Sequence, residues 1–73
     1  MSPAPKPSKT DIVGDFRRAQ ILDAARESFA RDGLAGTTVD GIARRAGLAK
    51  GTVYLYFKSK DEVLRTINEL LAK

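Results

Sequence analysis

One short segment, residues 50–56, combines basic, hydroxyl and apolar side chains at a spacing that suits contact with a large polyanion. If the segment is helical, with about 100° between residues, Gly51 and Leu55 share its outward face and Thr52 and Tyr54 lie on the flanks. An outward leucine between threonine and tyrosine is unusual on a helix that faces solvent. In the major groove of DNA, however, leucine can contact a thymine methyl group, threonine a base edge and tyrosine a phosphate oxygen. These residues therefore predict recognition of duplex nucleic acid.

The basic residues of the chain are concentrated around the same segment. Residues 37–60 contain five basic side chains and one acidic one, which accounts for the whole formal net charge of +4, while the other residues carry eight of each sign. The five are Arg44, Arg45, Lys50, Lys58 and Lys60. Concentrated positive charge on a small domain indicates a polyanionic partner, most often nucleic acid, and an ordinary solvated basic face is the alternative.

The composition excludes several other functions. The 73 residues include neither Cys nor His, which excludes disulfides, the usual zinc ligand sets, thiol nucleophiles and imidazole catalysis. The nine acidic residues form no evident catalytic pair. No apolar run approaches the roughly 18 residues that would span a bilayer. We therefore expect a cytoplasmic protein of one domain that is not an enzyme and has no cofactor, metal or membrane partner.

The first predicted helix follows a segment rich in proline. Residues 1–13 hold all three prolines and are predicted to be a disordered tail, either a solubilising leader or a basic arm that reaches DNA. The domain itself is predicted to span residues 14–73. From residue 16 onwards apolar side chains recur every three or four positions, with Asp15 as the expected N-cap and Gly33 as the left-handed residue beyond the last turn. The predicted apolar face consists of Phe16, Ala19, Leu22, Ala25 and Phe29, with Ile21 and Ala24 beside them.

Three more helices are expected after the first. Thr37 or Thr38 is the predicted N-cap of the second helix, which Gly47 ends. A short third helix is predicted over about residues 49–57, and the segment Ser59–Glu62, which has the sequence of a capping box, opens the fourth. The apolar residues of the second helix are Val39, Ile42, Ala43 and Ala46, and those of the fourth are Val63, Leu64, Ile67, Leu70 and Leu71.

The helices on either side of Gly47 have almost no linker between them, so they can pack only at a steep angle. Ala43 and Gly47 are the small residues that such a crossing needs. Ile42 is predicted to face Val53 across the angle, with Leu48 in the corner. A helix-turn-helix motif has this arrangement, although plain helical hairpins with glycine turns share it. The predicted fold is all-α: a homeodomain-like, three-helix helix-turn-helix domain followed by the start of a fourth helix.

Residues 37–62 closely resemble the DNA-binding module of the TetR family of transcriptional repressors, and the similarity extends over roughly residues 17–71. Its most specific part is the string Lys-Gly-Thr-hydrophobe-Tyr-x-Tyr-Phe-x-x-Lys at residues 50–60. The resemblance implies sequence-specific binding of duplex DNA, with the third helix in the major groove and Lys60 on a phosphate. The positions that it assigns to operator contact are Thr38, Lys50, Gly51, Thr52, Tyr54, Tyr56 and Lys60.

The same resemblance implies partners that this sequence alone does not provide for. Repressors of this type occupy palindromic operators as homodimers, and their dimerisation and small-molecule inducer sites lie in a helical domain that is absent here. The fourth predicted helix also has no stop signal after Leu71, so we expect the chain to be a piece of a longer protein. A natural terminus with a fraying helix is the alternative.

A few residues depart from the family pattern or allow two interpretations. Ala49 stands where the family often has Ser, which removes a side-chain cap, and Gly41 occupies a helical position at a cost of up to about 1 kcal/mol. Arg44 could contact phosphate or pair with Asp40 four residues earlier. Arg45 is the weaker candidate for a phosphate contact.

A protein-interaction module is the main alternative function. Leu55, which is otherwise predicted to contact bases, would then join Leu70 and Leu71 in a patch for a partner chain. That hypothesis leaves the positive charge between Thr37 and Lys60 without a role. A basic membrane-surface helix is disfavoured because the charge is concentrated around a turn instead of along one long helix.

Overall fold

Four helices contain most of the residues that the structure describes. The computed structural model describes residues 9–72. The helices are α1 (Lys9–Gly36), α2 (Val39–Ala46), α3 (Lys50–Tyr56) and α4 (Lys60–Leu71). The predicted all-α fold with four helices is confirmed, and α3 begins and ends within one residue of its predicted bounds.

The first helix begins earlier than predicted. Because α1 begins at Lys9, Asp15 lies inside the helix and its prediction as the N-cap is wrong. The last proline of the chain is Pro7, and the five residues from Lys9 to Val13 all retain a backbone amide, so nothing local stops the helix from extending back over them. α1 thus includes the last five residues of the predicted tail, and the rest of that tail lies outside the described residues.

The turn between α1 and α2 is organised by Gly33 and two threonines. Gly33 interrupts α1 with φ 73° and ψ 173°, a region open only to glycine, so the chain leaves the helix where predicted but not in the left-handed helical conformation. Thr37 is buried, and its hydroxyl donates to the Gly33 carbonyl at 2.7 Å. Thr38 is the N-cap of α2, with Oγ1 accepting from the Gly41 amide at 3.0 Å. The two threonines therefore have different roles, and the second is the cap.

The turn between α2 and α3 is closed by hydrogen bonds at Gly47. Gly47 adopts φ 73° and ψ 29°, the left-handed conformation that its predicted role requires. Its amide donates to the Arg44 carbonyl at 3.1 Å, and the Leu48 amide donates to the Ala43 carbonyl at 2.9 Å. These two bonds form a Schellman motif, which ends α2 and turns the chain directly into α3.

The core lies where all four helices meet. Ile42 and Val53, predicted to face each other across the turn, are both fully buried. The buried apolar residues are Ile21, Leu22, Ala24, Ala25, Ile42, Ala43, Val53, Phe57, Val63 and Ile67. Every helix contributes at least one residue or flanking position to this cluster, so the short α3 is held by packing rather than by its own length.

The face of α1 that packs against the other helices differs in part from the predicted one. Leu22, Ala25 and Phe29 pack in or against the core, but Phe16 is 65% exposed and Ala19 is exposed too, so those two core predictions are wrong. The packed face consists of the buried residues Ile21, Leu22, Ala24, Ala25 and Ser28. Ser28 belongs to this face without adding to the apolar pattern, which therefore indicated the neighbouring face.

The start of α4 contains one half of the predicted capping box. Ser59 Oγ accepts from the Glu62 amide at 3.2 Å, as expected of the N-cap. Glu62 Oε2 accepts from the amide of Lys58 at 3.0 Å, not from the amide of Ser59. The glutamate reaches one residue further back than in a standard box, and it still satisfies a free backbone donor ahead of the helix.

Candidate nucleic-acid interface

The outward side of α3 is exposed, and its inner side is buried. Val53 and Phe57 fix the inner side of α3, at 0% and 3% exposure. On the other side Leu55 is 80% exposed and Tyr54 is 45% exposed. A Cβ atom built on Gly51 would meet nothing within 4 Å. The predicted orientation of this helix is confirmed, and its outward face is open to a large ligand.

The beginning of α3 carries a cation on its flank. Ala49 is the N-cap and makes no side-chain capping bond, as predicted from the absence of Ser. The ammonium group of the exposed Lys50 lies 5.9 Å from the centre of the Tyr54 ring, within the range of a cation–π contact. Lys50 therefore lies along the side of α3, next to the outward face. Thr52 on the other flank is half-buried.

Tyr56 faces a different neighbour from Tyr54. It is half-buried and packs against the core, and a Cβ atom built on Gly14 of α1 would lie 3.9 Å from its ring carbon Cε1 and 4.0 Å from its hydroxyl oxygen. The residue thus joins the end of α3 to the first turns of α1. Its hydroxyl lies near α1.

The two neighbouring arginines of α2 have separate partners. Arg44 Nε lies 3.2 Å from Asp40 Oδ2, and both side chains are well exposed. Arg45 turns back to α1, where its Nε donates to Ser28 Oγ at 3.1 Å and its Nη1 lies 3.6 Å from Glu27 Oε2. Of the alternatives left open by the sequence, the structure shows Arg44 paired with Asp40. Arg45 stabilises the packing of α2 on α1.

Lys60 connects three parts of the fold. Its ammonium group donates to the carbonyl oxygen of Leu34 at 2.8 Å and to that of Thr37 at 2.9 Å. These bonds join the first residue of α4 to the turn that precedes α2. An ammonium group has three N–H donors, so one remains for another acceptor. Lys60 therefore lies beside Thr38, and the two predicted site residues form one cluster at the N-terminus of α2.

Sequence reasoning missed two residues that position the helix-turn-helix. Gln20 of α1 donates from Nε2 to the Ala46 carbonyl at 3.1 Å, which ties α1 to the last turn of α2, and it accepts from Arg17 at 3.4 Å. Arg18 places its guanidinium carbon 5.9 Å from the centre of the Phe57 ring, just after α3. Neither residue is apolar, so the hydrophobic pattern of α1 carries no signal for these contacts.

Within residues 9–72, no group of three or more Asp, Glu, His or Cys side chains is arranged to hold a metal ion. None of the four helices in that range is long and apolar enough to cross a membrane. A shallow groove between α1 and α4 is lined by Ala19, Leu22, Asp23, Arg26, Ile67, Leu70 and Leu71.

Residues 21–67 match the family model for bacterial regulatory proteins of the tetR family. The chain is 42% identical over 59 residues to the HTH-type transcriptional regulator SrpR of Pseudomonas putida, across 81% of this chain and 28% of SrpR. It is 41% identical over 63 residues to the HTH-type transcriptional regulator YfiR of Bacillus subtilis, across 86% of this chain and 31% of YfiR. The match therefore covers most of this chain but less than a third of each relative.

Solved structures show the same fold. A TetR-family transcriptional regulator from Haemophilus influenzae is 36% identical with a TM-score of 0.73, over 81% of this chain and 32% of that one. The fatty acid degradation regulator FadR from Bacillus halodurans is 43% identical with a TM-score of 0.69, over 70% of this chain and 26% of that one. The family model matches more than half of the chain, and the predicted resemblance is confirmed: the chain belongs to the tetR family of bacterial regulatory proteins and contains the family's N-terminal helix-turn-helix domain.

Proposed function

We propose that this chain binds duplex DNA with sequence specificity and that α3 lies in the major groove. The observation that carries the proposal is the contrast between the two sides of α3. Val53 on the inner side is fully buried, while Leu55 on the outer side is 80% exposed. Exposure of a leucine on a helix whose other side is anchored in the core is unfavourable in water. A groove that buries this leucine against bases offsets that cost.

The residues around α3 divide into two groups by the contacts that they can make. Thr52 and Leu55 lie on α3 where they can reach base edges, and Gly51 lets the helix backbone approach the groove because no side chain stands between them. The residues proposed to contact the DNA backbone are Thr38, Arg44, Lys50, Tyr54, Tyr56 and Lys60. Phosphate contacts set affinity and register, and base contacts set specificity.

In the whole protein we propose transcriptional repression by a homodimer bound to a palindromic operator. Family membership supports this proposal. A small-molecule inducer would release the repressor from DNA. The chain spans about a quarter to a third of the length of the relatives compared above. We propose that dimerisation and inducer binding use residues outside it. The same proposal places the protein in the bacterial cytoplasm, at the nucleoid.

Fluorescence anisotropy on random-sequence duplex DNA tests the proposal. Four to six phosphate contacts predict a log–log salt slope of roughly −4 to −5, and the Lys50→Ala variant should reduce the magnitude of that slope by about 1. The Tyr54→Ala variant should lower affinity at both of two salt concentrations. Arg26→Ala is the matched control. It also removes one positive charge, but Arg26 borders the groove between α1 and α4 and is not part of α3.

The opposite result would favour the protein-interaction hypothesis. No binding at tens of micromolar, from a chain whose circular dichroism shows folded helices, would contradict the proposed docking of α3. Leu70 and Leu71, which are 55% and 67% exposed beside the groove between α1 and α4, would then be the candidate contact surface for a partner chain.

A further inference from the structure

The centre of the outward face of α3 offers no side-chain hydrogen bond. Gly51 and Leu55 are four residues apart and so lie one above the other on the helix. Gly51 has no side chain, and Leu55 ends in two methyl groups that are largely uncovered. The polar side chains of this helix, Lys50, Thr52, Tyr54 and Tyr56, lie away from this line. A base edge that meets the centre of α3 therefore meets an apolar surface.

Major-groove base edges differ in how well they suit such a surface. Purine edges and the cytosine edge present only hydrogen-bonding groups and C–H. A leucine that covers these groups displaces the water bonded to them and offers no hydrogen bond in return, which costs free energy. Thymine carries a methyl group at C5, which leucine can bury. The same methyl group occurs at C5 of 5-methylcytosine, although the exocyclic group at C4 of that base is a donor instead of an acceptor.

We propose that Leu55 recognises the C5 methyl group of a pyrimidine, in thymine or in 5-methylcytosine, and that the exocyclic group at C4 is secondary at that position. This inference rests on the proposed docking of α3 in the major groove. It adds the chemical group that the centre of the helix selects. Cytosine methylation at that position of the operator then strengthens binding instead of blocking it.

Four pyrimidines separate methyl recognition from hydrogen-bond recognition. Thymine and 5-methylcytosine share the methyl group, and uracil and cytosine lack it. Thymine and uracil share the exocyclic oxygen, and the two cytosines share the amino group. If Leu55 recognises the methyl group, the methylated pair binds more tightly than the other pair by about fourfold, the value expected for burying one carbon-sized apolar group. A hydrogen-bonding side chain would instead separate the bases by their exocyclic group.

The experiment begins with the 73-residue chain and a random-sequence thymine-containing duplex library, from which the preferred half-site is selected. Each pyrimidine of that half-site is then replaced in turn by the other three, with its pairing partner adjusted, and affinity is measured by anisotropy. The Leu55→Ala variant is measured on the same duplexes. Because Leu55 is exposed, this substitution should leave the helical spectrum unchanged. Tyr54→Phe is the comparison variant, expected to shift all four affinities by the same factor.

The outcomes decide between the hypotheses. A methyl-dependent gap of about fourfold at one or more positions, lost in Leu55→Ala and retained in Tyr54→Phe, supports the inference. Ordering by exocyclic group at every position, equal binding of all four bases, or a methyl gap that survives in Leu55→Ala overturns it while the proposed function stands. Failure to bind or enrich any DNA overturns the proposed function itself, and the inference with it.

Discussion

Two pairs of cations in the same basic segment use their donors in different ways. Arg44 and Lys50 extend over exposed parts of α2 and α3, where their partners are an exposed carboxylate and the face of a tyrosine ring. Lys60 and Arg45 donate instead to oxygens of other elements of the fold. The comparison shows that the basic side chains around α3 fall into two groups with different contacts. Arg44 and Lys50 make no bond to another helix, whereas Arg45 and Lys60 hold α2 in place, and Lys60 keeps one N–H donor for the proposed phosphate contact.

Lys60 and Arg45, the two fixed cations, bond to the fold at opposite ends of α2. Lys60 bonds to the carbonyl of Thr37, immediately before the N-cap Thr38. Arg45 bonds to Ser28 of α1 at the other end of the helix, where Gln20 also bonds to the last turn. α2 is therefore positioned by polar contacts at both ends, whereas α3 is positioned by the buried side chains of its inner face. Removing Lys60 or Arg45 should therefore lower the free energy of unfolding. Removing Arg44 or Lys50, the two free cations, should change that energy little and act mainly on DNA binding.

The largest expected effect is that of Lys60→Ala. Two carbonyl oxygens lose a charged donor, so the free energy of unfolding should fall by about 1–3 kcal/mol. Urea unfolding followed by circular dichroism measures this change. Lys58→Ala is the matched control, because Lys58 is exposed and the substitution removes the same charge two residues earlier. Equal stability of the two variants would show that the bonds from Lys60 are not important for the fold.

The bonds of Lys60 illustrate what the sequence could not predict. Local signals act within a few residues of the chain, and they correctly located the Gly47 turn, the Ser59 cap and the outward face of α3. The donors of Lys60 reach acceptors 23 and 26 residues away, and the bond from Gln20 to Ala46 also spans 26 residues. No periodicity encodes such pairs, because each depends on how the helices pack. The string at residues 50–60 therefore predicted which residues surround α3, but not which of the cations are already bonded within the protein.

The start and orientation of α1 were mispredicted for a related reason. The apolar pattern of α1 fits two adjacent faces, and the choice between them depends on which face α2 and α4 cover. Phe16 completes the apolar pattern but is exposed, while Ser28 breaks the pattern yet is buried and accepts a hydrogen bond from Arg45. Asp15 looks like a cap only if the helix begins after it, and α1 extends further back.

Arg45→Ala should have the second largest effect. The side chain bonds to Ser28, which is 4% exposed, so its loss leaves a buried hydroxyl with one partner fewer and should cost about 1 kcal/mol. In a Ser28→Ala background the same substitution should cost less, because the bond is already absent. The DNA salt slope should stay unchanged. A drop of about 1 in that slope, without a loss of stability, would instead place Arg45 among the cations that contact DNA.

Gly51→Ala should have opposite effects on stability and on binding. A methyl group at this position meets nothing in the protein, so the gain in helix propensity should raise the stability by up to about 1 kcal/mol. The same methyl group would stand between the helix backbone and the groove and should weaken DNA binding. Gly41→Ala is the comparison, where the new Cβ would lie 3.2 Å from Thr38 Oγ1 and should reduce the gain. Thermal unfolding and anisotropy on the same samples separate the two effects, and unchanged DNA affinity in Gly51→Ala would contradict close approach of the backbone.

The smallest effect on stability is expected for Arg44→Ala. Its pair with Asp40 is exposed on both sides, and such pairs contribute less than about 0.5 kcal/mol. If Arg44 exchanges this carboxylate for a phosphate, the substitution should reduce the salt slope by about 1 without changing the unfolding transition. Asp40→Asn gives the complementary result, because it removes the competing carboxylate and a repulsive charge, so DNA binding should become tighter. If Asp40→Asn weakens binding instead, the pair itself positions Arg44 for contact, and the distinction between free and fixed cations would then have to include a cation held in place by its exposed partner.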